Sequence, residues 1–472
     1  MFIPHQDLSL EKKLGLTALT ALVLSSMLGA GVFSLPQNMA AVASPAALLL
    51  GWAITGVGIL FLAFAMLLLT RLRPDLDGGI FTYAKEGFGE LVGFCSAWGY
   101  WLCAVIANVS YLVIVFAALS IFTDRSGTVI LGDGNTWQAL IAESVLLWIV
   151  HALVLRGVQT AASINLAATL AKLIPLGLFA VLAAMAFRME VFTLDFQGIA
   201  LGTPVWQQVK DTMLITLWVF IGVEGAVVVS ARARNKKDVG RATLLAVLSA
   251  LAVYLLVTLL SLGVVPRSEL AEMRNPSMAV LMVDLIGPWG NVIIATGLIV
   301  SVCGAYLSWT IMAAEVPLLA AQHGAFPKLF RLQNQNHAPS ASLWLTNGAV
   351  QIALVIIWLT SSNYNSLLTI ASEMILVPYF LVGAFLFQVA RKRQDKRLIF
   401  AATGACLYGI WLLYASGPMH LLMSVLLYAP GLLVFIYARR GHEDIRLLST
   451  LEKGSIFLLL AATVPAGWFM LQ

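Results

Sequence analysis

The chain has 472 residues, of which 60% are hydrophobic and only 11% are charged, with a mean hydropathy of +0.91. This composition excludes a soluble globular domain and argues against an enzyme, because repeated long apolar runs are typical of a polytopic helical membrane protein. The net charge of +5 is spread over short loops. It is therefore a topology signal, and we expect no nucleic-acid partner.

Twelve apolar runs are each long enough to cross the hydrocarbon core of a bilayer as an α-helix. We therefore predict an all-α polytopic membrane protein with twelve transmembrane helices. A thirteenth run, 454–471, is apolar enough to cross as well but lies at the end of the chain. The twelve predicted spans are 15–39, 46–70, 91–122, 137–155, 161–187, 211–231, 241–264, 289–322, 342–361, 367–390, 398–415 and 419–438.

The distribution of Lys and Arg predicts the orientation in the membrane. If residues 1–14 are cytoplasmic, five of the 28 basic residues lie in outer segments and one, Lys172, lies within a span. Because cytoplasmic loops are enriched in Lys and Arg, this asymmetry predicts a cytoplasmic N-terminus. Loop 71–90 mixes turn residues with an amphipathic piece, so we expect it to lie along the membrane surface under the bundle. The five outer residues are Arg125, Arg188, Lys210, Arg267 and Arg274.

Small residues interrupt the first span at its centre. Residues 24–36 read LSSMLGAGVFSLP, and Gly29 and Gly31 weaken a helix and let other groups approach the backbone closely. A break at this depth frees peptide groups that lipid cannot satisfy, so it must face protein or a wet cavity. Broken helices form the substrate site in transporters, whereas two small residues also suit tight helix packing. This stretch alone leaves both interpretations open.

The sixth span carries a second interruption, in which Gly222 and Gly225 flank Glu224. This break lies five spans after the first, and because five is odd, spans six to ten enter the membrane from the opposite side. The pairing predicts a 5+5 inverted repeat with broken helices one and six at a transport site. The predicted parts are a cytoplasmic N-terminus at 1–14, a first repeat at 15–187, a second repeat at 211–390 and appended transmembrane helices at 398–472.

Three motifs resemble the basic amino acid/polyamine antiporters of the amino acid–polyamine–organocation superfamily. They are GAGVFSLP at 29–36, GYW at 99–101 and WVFIGVE at 218–224. Within that family, PQNMA at 36–40, PDLDGG at 74–79 and SAWGYW at 96–101 are most similar to the arginine:ornithine antiporter branch. The resemblance covers roughly residues 15–395. It implies a secondary transporter that moves its first and sixth helices against a scaffold of spans three, four, eight and nine.

Backbone groups at the two breaks suit the zwitterionic end of an amino acid. The N–H groups around Ala30 and Gly31, at the positive start of an outer half-helix, would bind the carboxylate. Carbonyl groups within 219–221, ending at Ile221, would bind the α-ammonium group. Ser25 and Ser26 would add hydroxyl contacts, although serines in spans more often bond to their own helix.

A cationic side chain needs aromatic faces, acids or carbonyl groups to replace water. Trp218 resembles the family's tryptophan that stacks on the guanidinium group and closes the outer path, and Trp309 resembles its distal aromatic partner. Tyr100 and Asn108 match polar family positions near the site. The resemblance therefore adds these four side chains to the candidate substrate-binding residues.

Glu224 is the acidic residue that we expect to couple gating to the substrate. A buried carboxylate is costly unless it is paired or protonated. In the family this position closes an inner gate with tyrosines, which correspond here to Tyr100 and Tyr379. We therefore expect Glu224 to link opening of the inner gate to substrate charge or to protonation.

Two further intramembrane charges are candidates. Glu373, beside Ser372 in span ten, either lines the cavity near the cationic end of the substrate or pairs with a neighbour. Lys172 in span five resembles a lysine that some superfamily members place where sodium-coupled relatives bind sodium. It is either a fixed cation or a proton-titrating group, and we favour the fixed cation because exchange of two amino acids needs no proton.

The resulting prediction is an antiporter of a bacterial inner membrane that exchanges arginine for ornithine by alternating access, without a cofactor, a metal ion or a chemical reaction. Proton-coupled symport, lysine:cadaverine or histidine:histamine exchange, and a non-transporting amino acid sensor remain alternatives. The lipid bilayer and small cationic amino acids are the expected partners, and a homodimer is compatible with the resemblance. Structural contacts are the expected role of Glu143, His151 and Glu315.

Overall fold

The computed structural model describes residues 14–76, 79–125, 127–228, 230, 233–362, 364–440 and 449–470. This part of the chain is almost entirely helical. Its β contacts are two isolated bridges, Leu14 with Ala233 and Arg125 with Thr128. The predicted all-α class is therefore confirmed.

The described residues form eight α-helices up to residue 193 and eleven more from residue 205 onward. The first eight are α1 (Leu16–Met27), α2 (Gly31–Val42), α3 (Pro45–Leu72), α4 (Ile80–Phe88), α5 (Glu90–Thr123), α6 (Trp137–Leu155), α7 (Val158–Ala186) and α8 (Met189–Thr193). The others are α9 (Val205–Phe220), α10 (Gly225–Val228), α11 (Lys236–Val264), α12 (Arg267–Glu272), α13 (Ser277–Ile286), α14 (Pro288–Gln322), α15 (Ser340–Thr360), α16 (Tyr364–Arg393), α17 (Lys396–Ser416), α18 (Pro418–Arg440) and α19 (Thr450–Met470).

Eleven helices among the described residues are long and apolar enough to cross a membrane, counting α1 and α2 as one broken span. The sixth predicted span is not among them because α9 has only 16 residues and ends at the second break. The thirteenth run forms α19, which is also outside the eleven. The structure thus confirms a polytopic helical protein, and the exact number of spans stays a prediction.

Several long helices begin where a side chain or a proline satisfies the first turn. The hydroxyl of Thr136 accepts a hydrogen bond from the first turn of α6, and the Asn235 side chain does the same for α11. The Asp395 carboxylate caps α17. Pro45 and Pro288 occupy the first helical positions of α3 and α14, where the missing N–H costs nothing. Local chemistry therefore fixes where these spans start.

Helix α5 is the most deeply buried span and packs against both α14 and α16. The broken pair α1/α2 packs against α7, α9 and α11, so both breaks lie inside the bundle. Helices α6, α15, α17 and α18 are far less buried and carry most of their apolar side chains on the outside. This arrangement surrounds the breaks with protein, as peptide groups released in a membrane require.

The loop that follows α3 forms the short helix α4. Its apolar side, which includes Phe81 and Tyr83, is buried against α5 and α16. On its outer side, Arg73 forms ion pairs with Asp75 at 2.8 Å and with Glu86 at 3.1 Å. The Arg73 guanidinium group holds the pKa of the Asp75 carboxyl below its usual range. The placement of this segment on the membrane surface stays a prediction.

The contact between α5 and α16 gives a test of packing. A Cβ atom on Gly99 would lie 2.8 Å from the carbonyl oxygen of Met374 and would also strike the Tyr428 hydroxyl. We expect Gly99→Ala to lower the free energy of unfolding by about 1–3 kcal/mol, because backbone cannot yield as a flexible side chain does. The midpoint temperature of unfolding in detergent measures this change.

The matched control is Gly177→Ala on α7, where a Cβ atom would meet nothing within 4 Å. That substitution should leave the midpoint unchanged or raise it, since alanine favours a helix by about 0.5–1 kcal/mol over glycine. Equal midpoints for the two variants would contradict the packing described here.

Candidate substrate site

The first break is the three-residue segment between α1 and α2. Leu28 leaves the helical conformation with φ −74° and ψ 47°, and α2 starts again at Gly31 without a capping side chain. A Cβ atom on Gly29 would lie 2.5 Å from the Tyr111 hydroxyl, and one on Gly31 would lie 2.9 Å from a methyl group of Val219. Glycine is required here because other groups approach the backbone closely.

The second break separates α9 from α10. Ile221 is extended, and Gly222 adopts a φ of +109°, which disfavours any residue with a Cβ atom. A Cβ atom there would also lie 2.6 Å from the Ser26 hydroxyl. The oxygen of that hydroxyl lies 3.1 Å from the Gly222 carbonyl oxygen and 2.8 Å from the Val23 carbonyl oxygen, and its single proton can be donated to either. The two unwound segments are therefore in direct contact.

Lys172 supplies the charge that holds the first break together. Its Nζ atom, fully buried on α7, donates to the Ser25 carbonyl at 3.1 Å, the Ser25 hydroxyl at 2.9 Å and the Leu28 carbonyl at 3.1 Å. Ser301 on α14 also donates to the Leu28 carbonyl, at 3.3 Å. The ammonium group thus occupies the centre of an oxygen cage made by the break itself.

Two aromatic side chains satisfy the Ser26 carbonyl of the first break. The Trp309 indole donates to it at 3.2 Å, and the Tyr111 hydroxyl lies 3.5 Å away. Trp309 also packs against Tyr100, with ring centroids 6.4 Å apart. The two aromatic positions that the resemblance implied, Tyr100 and Trp309, therefore lie beside the break.

Tyr254 on α11 contacts both breaks. Its hydroxyl lies 2.8 Å from the Met27 carbonyl oxygen and 2.6 Å from the Val219 carbonyl oxygen. The sequence analysis did not single out this residue. In the sequence, Tyr254 is recognisable only as an aromatic residue with a hydroxyl group within an apolar span, and this feature by itself predicts no hydrogen-bond partner.

Trp218 lies beside the breaks and contacts a tyrosine of α16. Its indole donates to the Tyr364 hydroxyl at 2.9 Å, and its ring lies 6.4 Å from that of Tyr111. Tyr364 also lines a cavity of about 180 Å³, whose polar lining includes Asp133 and Asn275. Only 5% of Trp218 is exposed, so this pair of aromatic side chains separates the cavity from the breaks.

Glu224 contacts a second tyrosine of α16. The Tyr379 hydroxyl donates to its Oε2 atom at 2.5 Å, and the Gly222 N–H donates to the same atom at 3.2 Å. Glu224 is fully buried. The structure therefore brings together Glu224 and Tyr379 as the resemblance implied.

Several buried polar atoms near the breaks have no hydrogen-bond partner among the described residues. They are the Tyr100 hydroxyl, both amide atoms of Asn108 and the Oε1 atom of Glu224. Tyr100, Asn108 and Tyr111 follow one face of α5, because their spacings of eight and three residues are close to whole helical turns. Since buried polar groups are normally paired, these atoms mark where the polar groups of a ligand would bind.

Ser372 and Glu373 lie on different sides of α16. The Ser372 hydroxyl oxygen lies 3.0 Å from the Leu214 carbonyl oxygen of α9 and 2.8 Å from the Leu368 carbonyl oxygen, and its single proton can be donated to either. Ser372 therefore contacts the sixth span. The Glu373 carboxylate instead contacts the ring of His420 on α18. Of the two alternatives left open for Glu373, the structure places it beside a neighbour and away from the breaks.

The remaining polar residues in the spans lie elsewhere. His151 is 2.9 Å from the Asn347 amide and packs on Trp344, and one oxygen of the buried Glu143 has no partner among the described residues. Glu315 is buried on α14. The described residues hold no cluster of three or more His, Cys, Asp or Glu that could bind a metal ion.

Comparison with known proteins identifies the family. The family described as amino acid permease matches residues 14–445. A protein of Escherichia coli (strain K12), named "Putative arginine/ornithine antiporter", is 76% identical over 98% of this chain and 100% of its own length. The "Arginine/ornithine antiporter" of Pseudomonas aeruginosa is 45% identical, with 92% of each chain covered.

A more distant relative carries a different substrate name. The "Arginine/agmatine antiporter" of Chlamydia caviae is 42% identical over 92% of this chain and 91% of its own length. These matches confirm the resemblance inferred from the motifs. The chain is a multi-pass bacterial-type membrane protein that belongs to the amino acid permease family, within the amino acid–polyamine–organocation superfamily.

Proposed function

We propose that this protein is an antiporter that exchanges arginine for ornithine across a bacterial inner membrane, with its N-terminus in the cytoplasm. The observation that carries the proposal is the group of buried polar atoms beside the two breaks, on α5 and at Glu224, that have no hydrogen-bond partner among the described residues. The names of the two relatives described above, at 76% and 45% identity, support arginine and ornithine as the substrates.

The two breaks offer opposite polarity to a zwitterion. At the first break the carbonyl groups of residues 25–28 all accept hydrogen bonds from protein groups. The Phe33 N–H donates to the Ala30 carbonyl at 3.2 Å, which leaves the N–H groups of Gly31 and Val32 without a backbone acceptor among the described residues. At the second break no donor to the Ile221 carbonyl is found in the described part of the chain. The carboxylate therefore binds at Gly31 and the α-ammonium at Ile221.

The cationic side chain of the substrate extends toward the aromatic residues and the inner acid. Trp309 uses its indole N–H on the Ser26 carbonyl, so its ring face remains for a guanidinium or ammonium group. Asn108 and the Oε1 atom of Glu224 supply hydrogen-bond acceptors that have no protein donor among the described residues. A cation-selective site follows from these groups.

Alternating access follows from the placement of the two closures. The outer closure joins Trp218 on α9 to Tyr364 on α16, and the inner closure joins Glu224 to Tyr379 on the same α16. The two tyrosines lie about 22 Å apart along α16, on either side of the breaks. Tilting the sixth span against α16 opens one closure while it keeps the other shut, and no chemical conversion of the substrate is involved.

Arginine:agmatine exchange is the second candidate, favoured by the name of the Chlamydia relative. Agmatine lacks the carboxylate that the first-turn N–H groups of α2 would bind. Competition against radiolabelled arginine by ornithine, agmatine, lysine, cadaverine, histidine and histamine separates the exchange partners.

Counterflow in proteoliposomes tests antiport. Vesicles loaded with ornithine should take up radiolabelled arginine at least tenfold faster than vesicles without internal substrate, because only a loaded carrier reorients in an antiporter. A pH gradient imposed on vesicles without internal substrate should drive little uptake. Uptake that follows the pH gradient would show a proton-coupled symporter instead, and binding without flux would show a sensor.

Glu224→Gln tests the inner closure. Glutamine retains an acceptor for Tyr379 but loses the charge, and hydrogen bonds to charged groups contribute about 1.5–3 kcal/mol, so we expect exchange to fall roughly tenfold to a hundredfold. The pH dependence of the exchange rate should also flatten. The matched control is Glu143→Gln, a buried acid on α6 away from the breaks. Wild-type rates and an unchanged pH profile for Glu224→Gln would refute the gating role.

Lys172→Met tests the fixed cation. The substitution keeps the length of the side chain and removes the donor to the Ser25 and Leu28 carbonyl groups. Ser301 still donates to the Leu28 carbonyl, but both carbonyl groups lose a hydrogen bond from a charged donor. Such a bond contributes about 1.5–3 kcal/mol, so exchange should fall at least tenfold and the midpoint of thermal unfolding should drop. Lys210→Met, at a half-buried position near the start of α9, serves as the control. Normal exchange by Lys172→Met would exclude both the structural and the proton-titrating role.

A further inference from the structure

A single phenol joins the two unwound segments. The Tyr254 hydroxyl lies 2.8 Å from the Met27 carbonyl oxygen and 2.6 Å from the Val219 carbonyl oxygen. The residue is fully buried, and its ring is held by Phe220 at 5.2 Å and by Trp52 at 6.1 Å between centroids. The hydroxyl is thus fixed between one carbonyl of each break.

The two carbonyl groups differ in what else can satisfy them. The Met27 carbonyl also accepts the Gly29 N–H at 2.8 Å. The Val219 carbonyl has no second donor among the described residues, because the Val223 N–H, its partner in an unbroken helix, donates to Phe220 at 3.1 Å. Without Tyr254 or a ligand, the buried Val219 carbonyl has no hydrogen-bond donor among the described residues, and an unpaired buried acceptor costs free energy.

One hydroxyl carries one proton, so Tyr254 can donate to only one of these carbonyl groups at a time. When no other donor reaches the Val219 carbonyl oxygen, the Tyr254 hydroxyl donates its proton there. The Met27 carbonyl still accepts a hydrogen bond from the Gly29 N–H. The α-ammonium of the substrate, placed at the Ile221 carbonyl two residues after Val219, brings three donors. Its arrival frees the Tyr254 proton for Met27.

We propose that Tyr254 is a positioning residue that pins the second break until the substrate ammonium replaces it at Val219, so that reorientation of the two broken helices requires bound substrate. This inference rests on the proposed antiport and supplies a physical reason for it. The carrier without substrate must break the bond between Tyr254 and Val219 in order to move, whereas the loaded carrier keeps that carbonyl satisfied throughout.

The test compares two fluxes in the same proteoliposomes. Efflux of radiolabelled arginine is measured without external substrate and with external ornithine, and the ratio of the two rates does not depend on the fraction of folded protein. Tyr254→Phe removes the hydroxyl and keeps the ring, so uncoupled efflux relative to exchange should rise about tenfold, the effect of losing one hydrogen bond of ordinary strength.

The matched control is Tyr408→Phe on α17, a buried tyrosine whose hydroxyl has no partner among the described residues. Its flux ratio should equal that of the wild type. A Tyr254→Phe ratio within twofold of the wild type, or an equal fall in both fluxes, would overturn the inference, because a purely structural role lowers both rates together.

A second variant keeps the shape of the site intact. Difluorotyrosine incorporated in place of Tyr254 is a stronger hydrogen-bond donor, so it should lower the flux ratio below that of the wild type. If Tyr254→Phe yields no folded protein, this variant decides alone, and an unchanged or raised ratio overturns the inference. Absence of counterflow in wild-type vesicles would overturn both the proposed antiport and the inference about Tyr254. Counterflow in the wild type with an unchanged flux ratio in the Tyr254 variants would overturn the inference alone.

Discussion

Unpaired peptide groups inside a membrane are the constraint on which this structure depends. The two breaks release carbonyl and N–H groups where lipid offers no partner. Lys172 satisfies the carbonyl groups of Ser25 and Leu28, Trp309 satisfies that of Ser26, and Tyr254 reaches both breaks. Three helices that are remote in sequence, α7, α14 and α11, are therefore held against the breaks by the donors that they carry.

The same constraint explains why one helix controls both sides of the site. The break in the sixth span separates Trp218 from Glu224 along the chain. Their partners, Tyr364 and Tyr379, are both on the continuous helix α16. In the proposed transport cycle, movement of the sixth span against α16 makes the two closures mutually dependent, as alternating access requires.

The sequence predicts local features well and distant pairings poorly. Gly29, Gly31 and Gly222 predict the breaks, because the effect of a glycine on the backbone is local. The apolar runs predict the spans. The hydrogen bond between Tyr254 and the Val219 carbonyl joins two helices, and no periodic pattern in the sequence predicts it. The contact of Glu373 with His420 depends on how α18 packs against α16. The pairing of Glu224 with Tyr379 is predicted only because the resemblance to the family implies it.

In the proposed site, the pattern of satisfied and unsatisfied groups also gives the substrate one orientation. Protein donors already occupy the carbonyl groups of the first break, so a ligand there meets N–H groups and must present an anion. At the second break the Ile221 carbonyl lacks a donor in the described part of the chain, and the bond to Val219 comes from a shared proton. A ligand there must present a cation with several donors. An α-amino acid meets both demands across one Cα atom, and its side chain is then directed toward Trp309, Asn108 and Glu224.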